Sequence, residues 1–309
     1  MVEFIFTPFN TNYKPSYQLR MGYSCNNKCI HCFVRHKLSN AEEIPLSALK
    51  SIVDTIEEEM VIVTGGEPTI REELLELLQY IKSKGKIVNM QTNAYKLSDK
   101  NYFNSIKNFI DTVTIPIHSN DMDIFDAVTQ IKGSGKKTFE ALTNFRETNI
   151  LAMTQTVINQ LNYKTLLSTF DMIQDVFPGT PMNLTFPHPI GVAKSISVIP
   201  KYSEIYPYMQ PVLKKYAYLI RTHYIPKCIL YPYHTIIVHN VDDGDNGSLI
   251  KYGIDYIENR WQQTNYGEYK EEFRIKSENC RKCIFDKECI GVFRTYGELY
   301  QELDLFPIK

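Results

Sequence analysis

The sequence has no apolar run of about 18 residues, the length at which a helix begins to cross a bilayer. No membrane partner is therefore expected. Residues Met1 to Asn10 lack the basic start and apolar stretch of a secretory signal, which points to a cytoplasmic protein. Charge of one sign is also missing: 34 Lys and Arg stand against 35 Asp and Glu, a formal net charge of -1. A nucleic-acid binder needs a basic face to neutralise phosphates, so no nucleic-acid partner is expected either. Internal repeats and low-complexity tracts are absent. What remains, 43% hydrophobic and 22% charged over 309 residues, is a globular chain able to bury a sizeable core. One domain or two would fit, because a strand-helix barrel of roughly 250 residues folds as one unit.

From about residue 17 to residue 190, short β-rich runs alternate with amphipathic helices. Six strands are predicted, over Tyr17–Gly22, Met60–Thr64, Lys86–Gln91, Thr112–Ile117, Leu151–Val157 and Met182–Phe186. Runs such as Met60-Val61-Ile62-Val63 suit strands buried on both faces of a parallel sheet. Leu46, Leu49, Ile52, Val53 and Ile56 form one helical stripe. A second helix is expected to start at a capping box of Thr69 and Glu72 and to stop at Gly85. Ser134 is placed to cap a third, and two more are predicted over about 164–176 and 203–223, with Pro207 and Pro211 delaying the regular part of the last. Repeated βα units require right-handed crossovers and a parallel sheet. Six units are too few for a closed eightfold barrel, so the expected fold is α/β, an open, partial (β/α)6 TIM-like barrel with its chemistry at the C-terminal strand ends. Ile229–Asn240 reads as strand or hairpin, and Asp242-Asp243-Gly244-Asp245 as a turn, since it lacks the spacing of a calcium loop.

Seven cysteines fall into two groups, Cys25, Cys29 and Cys32 near the start, and Cys228, Cys280, Cys283 and Cys289 late. In a cytosolic chain such thiols are metal ligands or catalytic groups rather than disulfides. The first three follow the first strand as C-x3-C-x2-C. A structural zinc closes with four ligands, whereas an iron–sulfur cube held by three thiolates keeps one iron open.

That spacing, followed by Gly65-Gly66-Glu67-Pro68 at the end of the second strand, resembles the radical S-adenosylmethionine enzymes over about residues 17–190. The resemblance implies a [4Fe-4S] cluster on Cys25, Cys29 and Cys32 that chelates S-adenosylmethionine, with the Gly65–Pro68 backbone at the cofactor's amino group. It also implies that Thr92 and Asn93 lie near the ribose and methionine, in a segment where Ala94 replaces the usual Gly. Val157 falls in the adenine-side segment and His31 at a position that packs on adenine. Ser119 stands close to where some relatives use a serine on the fourth strand, the strand position itself being Pro116. Cys280-x2-Cys283-x5-Cys289, with Cys228 upstream, resembles the SPASM and Twitch extensions and implies one auxiliary [4Fe-4S] cluster; a zinc ribbon uses the same four thiolates. Phe293 stands where a full SPASM domain has a further cysteine. The expected division is residues 1–200 for the barrel and 201–309 for the auxiliary extension.

The implied activity is reductive cleavage of S-adenosylmethionine and abstraction of a hydrogen atom from substrate, with an external flavodoxin- or ferredoxin-type electron donor. The C-x2-C-x5-C run favours oxidation or cross-linking of a ribosomally made peptide. The 16 residues before the first strand leave no room for an appended peptide-recognition domain, which favours a small-molecule dehydrogenase or cyclase. A non-catalytic iron–sulfur scaffold or sensor is the third reading. His118 and His188, near the ends of the fourth and sixth strands, are candidate acids or bases, or hydrogen-bonded wall residues.

Overall fold

Strands alternate with helices through most of the chain: β1 (Ser16–Arg20), α1 (Leu46–Thr55), β2 (Met60–Thr64), α2 (Leu74–Ser83), β3 (Ile87–Gln91), α3 (Lys100–Ile106), β4 (Thr112–Pro116), α4 (Met122–Thr129), α5 (Ser134–Arg146), β5 (Leu151–Val157), α6 (Leu166–Val176), β6 (Met182–Thr185), α7 (Tyr202–Tyr216) and β7 (Ile220–His223). After these come α8 (Lys227–Leu230), β8 (His239–Asn240), β9 (Ile250–Ile257), β10 (Arg260–Asn265), β11 (Arg274–Ile275), β12 (Val292–Phe293) and α9 (Arg294–Tyr300). The computed structural model describes residues 16–35, 43–235, 239–240, 250–257, 260–265, 274–289, 291–301 and 303–309. The Asp242–Asp245 turn lies outside the described residues.

β1 to β7 pair in order, all parallel, as a curled half-barrel. β8 continues the sheet beside β7, while β9 runs parallel to β1 and carries antiparallel β10 at the other edge. Seven strands therefore stand in the half-barrel where six were expected. The seventh lies inside the segment predicted as one helix over 203–223. Its Ile220 and Thr222 are fully buried while Arg221 takes the opposite face, a period-two pattern too short to stand out beside the apolar stripe of α7.

Two periods of burial decide what lies where. Leu19, Val61, Val63, Val88, Met90, Val113, Ile115 and Leu184 are fully buried and share one core with helix residues such as Leu49, Leu77, Ile81, Phe103 and Phe170. Each such side chain contributes about 1.5–3 kcal/mol by leaving water. This is the helix-covered outer face. Residues of the other parity, Gln18, Arg20, Thr64, Asn89, Thr114, Asn183 and Arg221, are buried too but polar, so the inner face of the half-barrel is hydrophilic.

Local details differ from expectation in ways the side chains explain. Thr69 does not cap α2; the Glu67 carboxylate accepts from its backbone N–H, which begins a short 3-10 turn at Pro68 instead. Ser134 is the first residue of α5, and the Asp126 carboxylate caps that helix by accepting from the N–H groups of Gly133 and Gly135. α7 starts at Tyr202 with Pro207 and Pro211 inside it. Both prolines are on the exposed face, as are Ser203 and Pro207, whose carbonyls lose a helical donor and can turn to water. Of the stretch expected as strand or hairpin over Ile229–Asn240, Ile229 and Leu230 belong to α8 and Tyr233–Thr235 is a 3-10 turn, His239–Asn240 is β8, and residues 236–238 lie outside the described ones. No helix among the described residues is long and apolar enough to cross a membrane.

Candidate functional site

The loop after β1 carries Cys25, Cys29 and Cys32 at the C-terminal edge of the sheet. Its backbone is tied to α4, with Lys28 N–H donating to Thr129 O at 2.9 Å and Ile30 N–H to Val128 O at 3.0 Å. Asn27 N–H donates to Cys25 Sγ at 3.4 Å, and the Asn93 amide reaches both Cys25 Sγ (3.8 Å) and Asn26 Oδ1 (2.7 Å). Burial pushes the Cys25 thiol up to about 12, and negative charge at Glu67 and Cys32 adds to it. Burial raises Cys29 further, with Cys32 and Cys25 as the next causes. Burial thus disfavours ionisation of Cys25 and Cys29 until a cation takes their charge, and with Cys32 on the same loop the donor set fits a three-thiolate iron–sulfur centre.

His31 and His118 stand beside this loop. One nitrogen of each and Cys29 Sγ lie within 4.8 Å of one another, and the two rings meet edge-on at 4.8 Å. Burial lowers His31 to about 4 and takes His118 well below the usual imidazole range, so both rings are neutral near pH 7. The Nδ1 atoms of both are buried without a hydrogen-bond partner. His118 thus sits at the cysteine loop, a contact its sequence position did not disclose.

The Gly65–Pro68 turn is built against the same loop. Gly65 has φ +150°, and Gly66 N–H and Glu67 N–H donate to Gly22 O (2.9 Å) and Ser24 O (2.8 Å). A Cβ on Gly66 would lie 2.1 Å from Ser24 O and 2.2 Å from Tyr23 O. The missing side chain is therefore required by chain–chain contact, a reason that sequence reading, which looked to the ligand, did not supply. Glu67 is buried and accepts from Thr69 N–H (3.0 Å), Thr69 Oγ1 (2.6 Å), Thr92 Oγ1 (2.6 Å) and Asn93 N–H (2.6 Å). Burial pushes its carboxyl up while these donors pull it back. Its carboxylate ties the ends of β2 and β3 together, which leads through Asn93 to Cys25. Ala94 takes φ +62°, the conformation in which glycine is easiest. Ser119 is fully buried, hydrogen-bonded to Thr165 Oγ1 at 3.1 Å and to Asp121 N–H at 3.1 Å, so its hydroxyl is used inside the turn after β4. Val157 closes β5, half-buried on the inner face.

The late cysteines also converge. Cys228 in α8 lines one solvent-open cavity with Cys280, Cys283 and Cys289, walled by Phe285 and by Leu305, Phe306 and Pro307. Burial pushes the Cys228 thiol up to about 12, with charge at Cys289 next. Ile308 N–H donates to Cys283 Sγ at 3.4 Å, and the Ser277 hydroxyl lies 3.3 Å from Cys280 Sγ. All seven cysteines carry free thiols.

His188 is stacked on Phe293 with ring centroids 4.1 Å apart. Burial, then the nearby Arg274 cation, lowers it to about 4. A depressed native pKa means that the unfolded chain binds the proton more readily. Stability from the neutral ring is whole above about pH 6.5 and drains away as pH falls toward 4, about 2 kcal/mol by pH 5. His188→Phe keeps the stack and should flatten that part of the curve, read as the change in urea midpoint between pH 7.5 and pH 5. Equal pH dependence in both proteins would contradict it.

The sequence profile of the Radical SAM superfamily matches residues 19–173, and the chain belongs to that family. The Fe-coproporphyrin III synthase of Methanosarcina barkeri is 26% identical over 172 residues, 54% of this chain and 43% of the synthase. A probable GTP 3',8-cyclase of Sulfurisphaera tokodaii is 27% identical over 226 residues, 69% of each chain. The chain thus spans less than half the length of the first of these relatives. Among solved structures, Streptococcus suis SuiB bound to the precursor peptide SuiA superposes with a TM-score of 0.63 at 15% identity, covering 96% of this chain and 75% of SuiB. That likeness is one of fold.

Proposed function

We propose that the chain is a cytoplasmic radical S-adenosylmethionine oxidase with two iron–sulfur centres, the first on Cys25, Cys29 and Cys32 and the second on Cys228, Cys280, Cys283 and Cys289. Bound there, the first cluster and S-adenosylmethionine supply reductive cleavage and hydrogen-atom abstraction. The observation that carries the two-centre reading is the convergence of all four late thiols on one cavity. Four thiolates leave no iron open to substrate, which suits removal of an electron and therefore net oxidation. The barrel unit runs through β7 (Ile220–His223), past the boundary expected at residue 200, and the SPASM- or Twitch-like extension follows it.

The protein's own residues position and enclose. Glu67, Thr92 and Asn93 fix the strand ends beside Cys25; the Gly65–Pro68 backbone would receive the methionine end of the cofactor, neutral His31 would pack on its adenine, and Val157 would line the adenine side. Ser119 orders the turn behind them. His118, neutral and without a partner at Nδ1, is placed to hold a substrate donor or take a proton. A flavodoxin- or ferredoxin-type donor supplies electrons. The substrate is a ribosomally made peptide, in keeping with the peptide held by the SuiB fold neighbour. The cyclase relative, matched over 69% of its length, supports a second reading with a small molecule as substrate.

Protein purified without oxygen should carry about eight irons, and Cys283→Ala about four, since each cube needs its own thiolates. The variant should still form 5′-deoxyadenosine and lose a product two hydrogens lighter than substrate. Stoichiometric zinc on the late cysteines, or a wild-type product of unchanged mass, would overturn the oxidase reading.

A further inference from the structure

The strands of the half-barrel bring positive charge to its inner face. β1 to β7 contain no aspartate or glutamate, yet they bury two guanidinium groups, Arg20 and Arg221, each 6% exposed. Arg20 closes β1 on the hydrophilic face, in register with Thr64, the residue before Gly65. Its hydrogen bonding amounts to one contact, Nη2 donating to Gln18 Oε1 at 3.1 Å, with the Tyr23 ring 5.9 Å away. Nε is buried with no partner. Two carboxylates at the neighbouring strand ends and loops are already engaged: Glu67 by Thr69, Thr92 and Asn93, and Glu43 by Arg71 at 2.7 Å. Among the described residues no carboxylate pairs with Arg20, and a buried cation so placed is costly unless an anion reaches it. Nothing in the fold itself requires that cost, because the core lies on the other face. Further along the same inner face, Asn89 Oδ1, Asn183 Oδ1 and Thr185 Oγ1 are also buried without partners.

We propose that Arg20 binds an oxyanion of the substrate, a carboxylate or a phosphate group, inside the half-barrel. Asn89, Asn183 and Thr185 offer acceptors to hydroxyl or amino groups on the rest of that molecule. Arg20 lies five residues before Cys25, so the anionic group is held beside the mouth where the cysteine loop stands. A guanidinium fork suits either oxyanion, since both accept two parallel N–H bonds. The proposal rests on the enzyme reading for the role of this space, but it is tested by binding alone, so it fails separately from the iron count and the product mass.

The probes are pyrophosphate and succinate, titrated calorimetrically at low salt into the wild-type holoenzyme already saturated with S-adenosylmethionine. One of the two should bind once per chain, pyrophosphate marking a phosphate-bearing substrate and succinate a carboxylate-bearing one. Arg20→Met should weaken that binding by about tenfold or more, the scale of a lost charge-assisted bond. Arg20→Gln, which keeps a polar contact to Gln18, should do the same and serves if the Met variant misfolds; iron content and circular dichroism check both. The proposal is overturned if neither anion binds the wild-type protein, or if the folded variants bind as tightly as wild type. It is equally overturned if the anion displaces S-adenosylmethionine, because Arg20 would then serve the cofactor's carboxylate.

Discussion

Gly66→Val should yield a folded barrel that holds about four irons in place of about eight and forms no 5′-deoxyadenosine. The cause is steric and lies in the backbone. A Cβ at this position would meet Ser24 O at 2.1 Å and Tyr23 O at 2.2 Å, and neither carbonyl can swing aside as a side chain would. Both belong to the segment that runs into Cys25, and that segment is pinned by the Gly66 and Glu67 N–H groups. Relief comes from displacing the cysteine loop, because the β2 side is fixed by sheet pairing. Overpacking of this kind costs about 1–3 kcal/mol, tolerable for a chain with this core, so the damage should appear in the first iron site rather than in global folding. Iron analysis, circular dichroism and a cleavage assay separate these effects. Full iron with only a weaker S-adenosylmethionine affinity would show that the glycine serves the ligand and not the loop.

Glu67→Ala should be the most destabilising single change at the site, by about 3 kcal/mol or more in urea unfolding. Two backbone N–H groups, of Thr69 and Asn93, and two threonine hydroxyls converge on its carboxylate. Truncation leaves these buried donors unmatched, at about 1–3 kcal/mol for each that finds no substitute. Because Asn93 leads on to Cys25 and Asn26, the first iron site should be lost as well. Glu67→Gln keeps one acceptor oxygen but sets an NH2 against donors, so it should fall between Ala and wild type. An Ala variant with wild-type stability would refute the view of this carboxylate as an internal tie.

Much of this is legible in the sequence itself. Met60–Thr64 and Leu151–Val157 are strands over those residues, because β-branched runs bounded by turn residues leave little choice of register. The cysteine spacing and the Gly-Gly-Glu-Pro turn pointed to the family that the comparison bore out. Helices α3 and α4 were passed over although each is capped by an aspartate, Asp99 and Asp121, because they are only 7 and 8 residues long and show barely two turns of pattern. The fate of Ser119, the pairing of His31 with His118, and the reason for Gly66 depend on which loops meet at the strand ends. Residues far apart in sequence make those contacts, and no local period encodes them. The polar inner face, by contrast, is written in alternate strand residues such as Asn89 and Gln91 of β3 and Asn183 and Thr185 of β6, where a reading of strands apolar on both faces obscures it.

The walls of the late cavity come from three stretches: residues around Cys228, those from Lys276 to Gly291, and Leu305 to Pro307. Among the described residues, the hydrogen bonds of the first cysteine loop reach no further along the chain than Gln130. During synthesis the two pockets therefore become complete at different times. The first can accept its metal while the chain is still growing, whereas the second exists only once nearly all of these residues have left the ribosome. A pulse of iron during translation should consequently label the two sites in order, and a cell short of iron should accumulate chains charged at the first site alone.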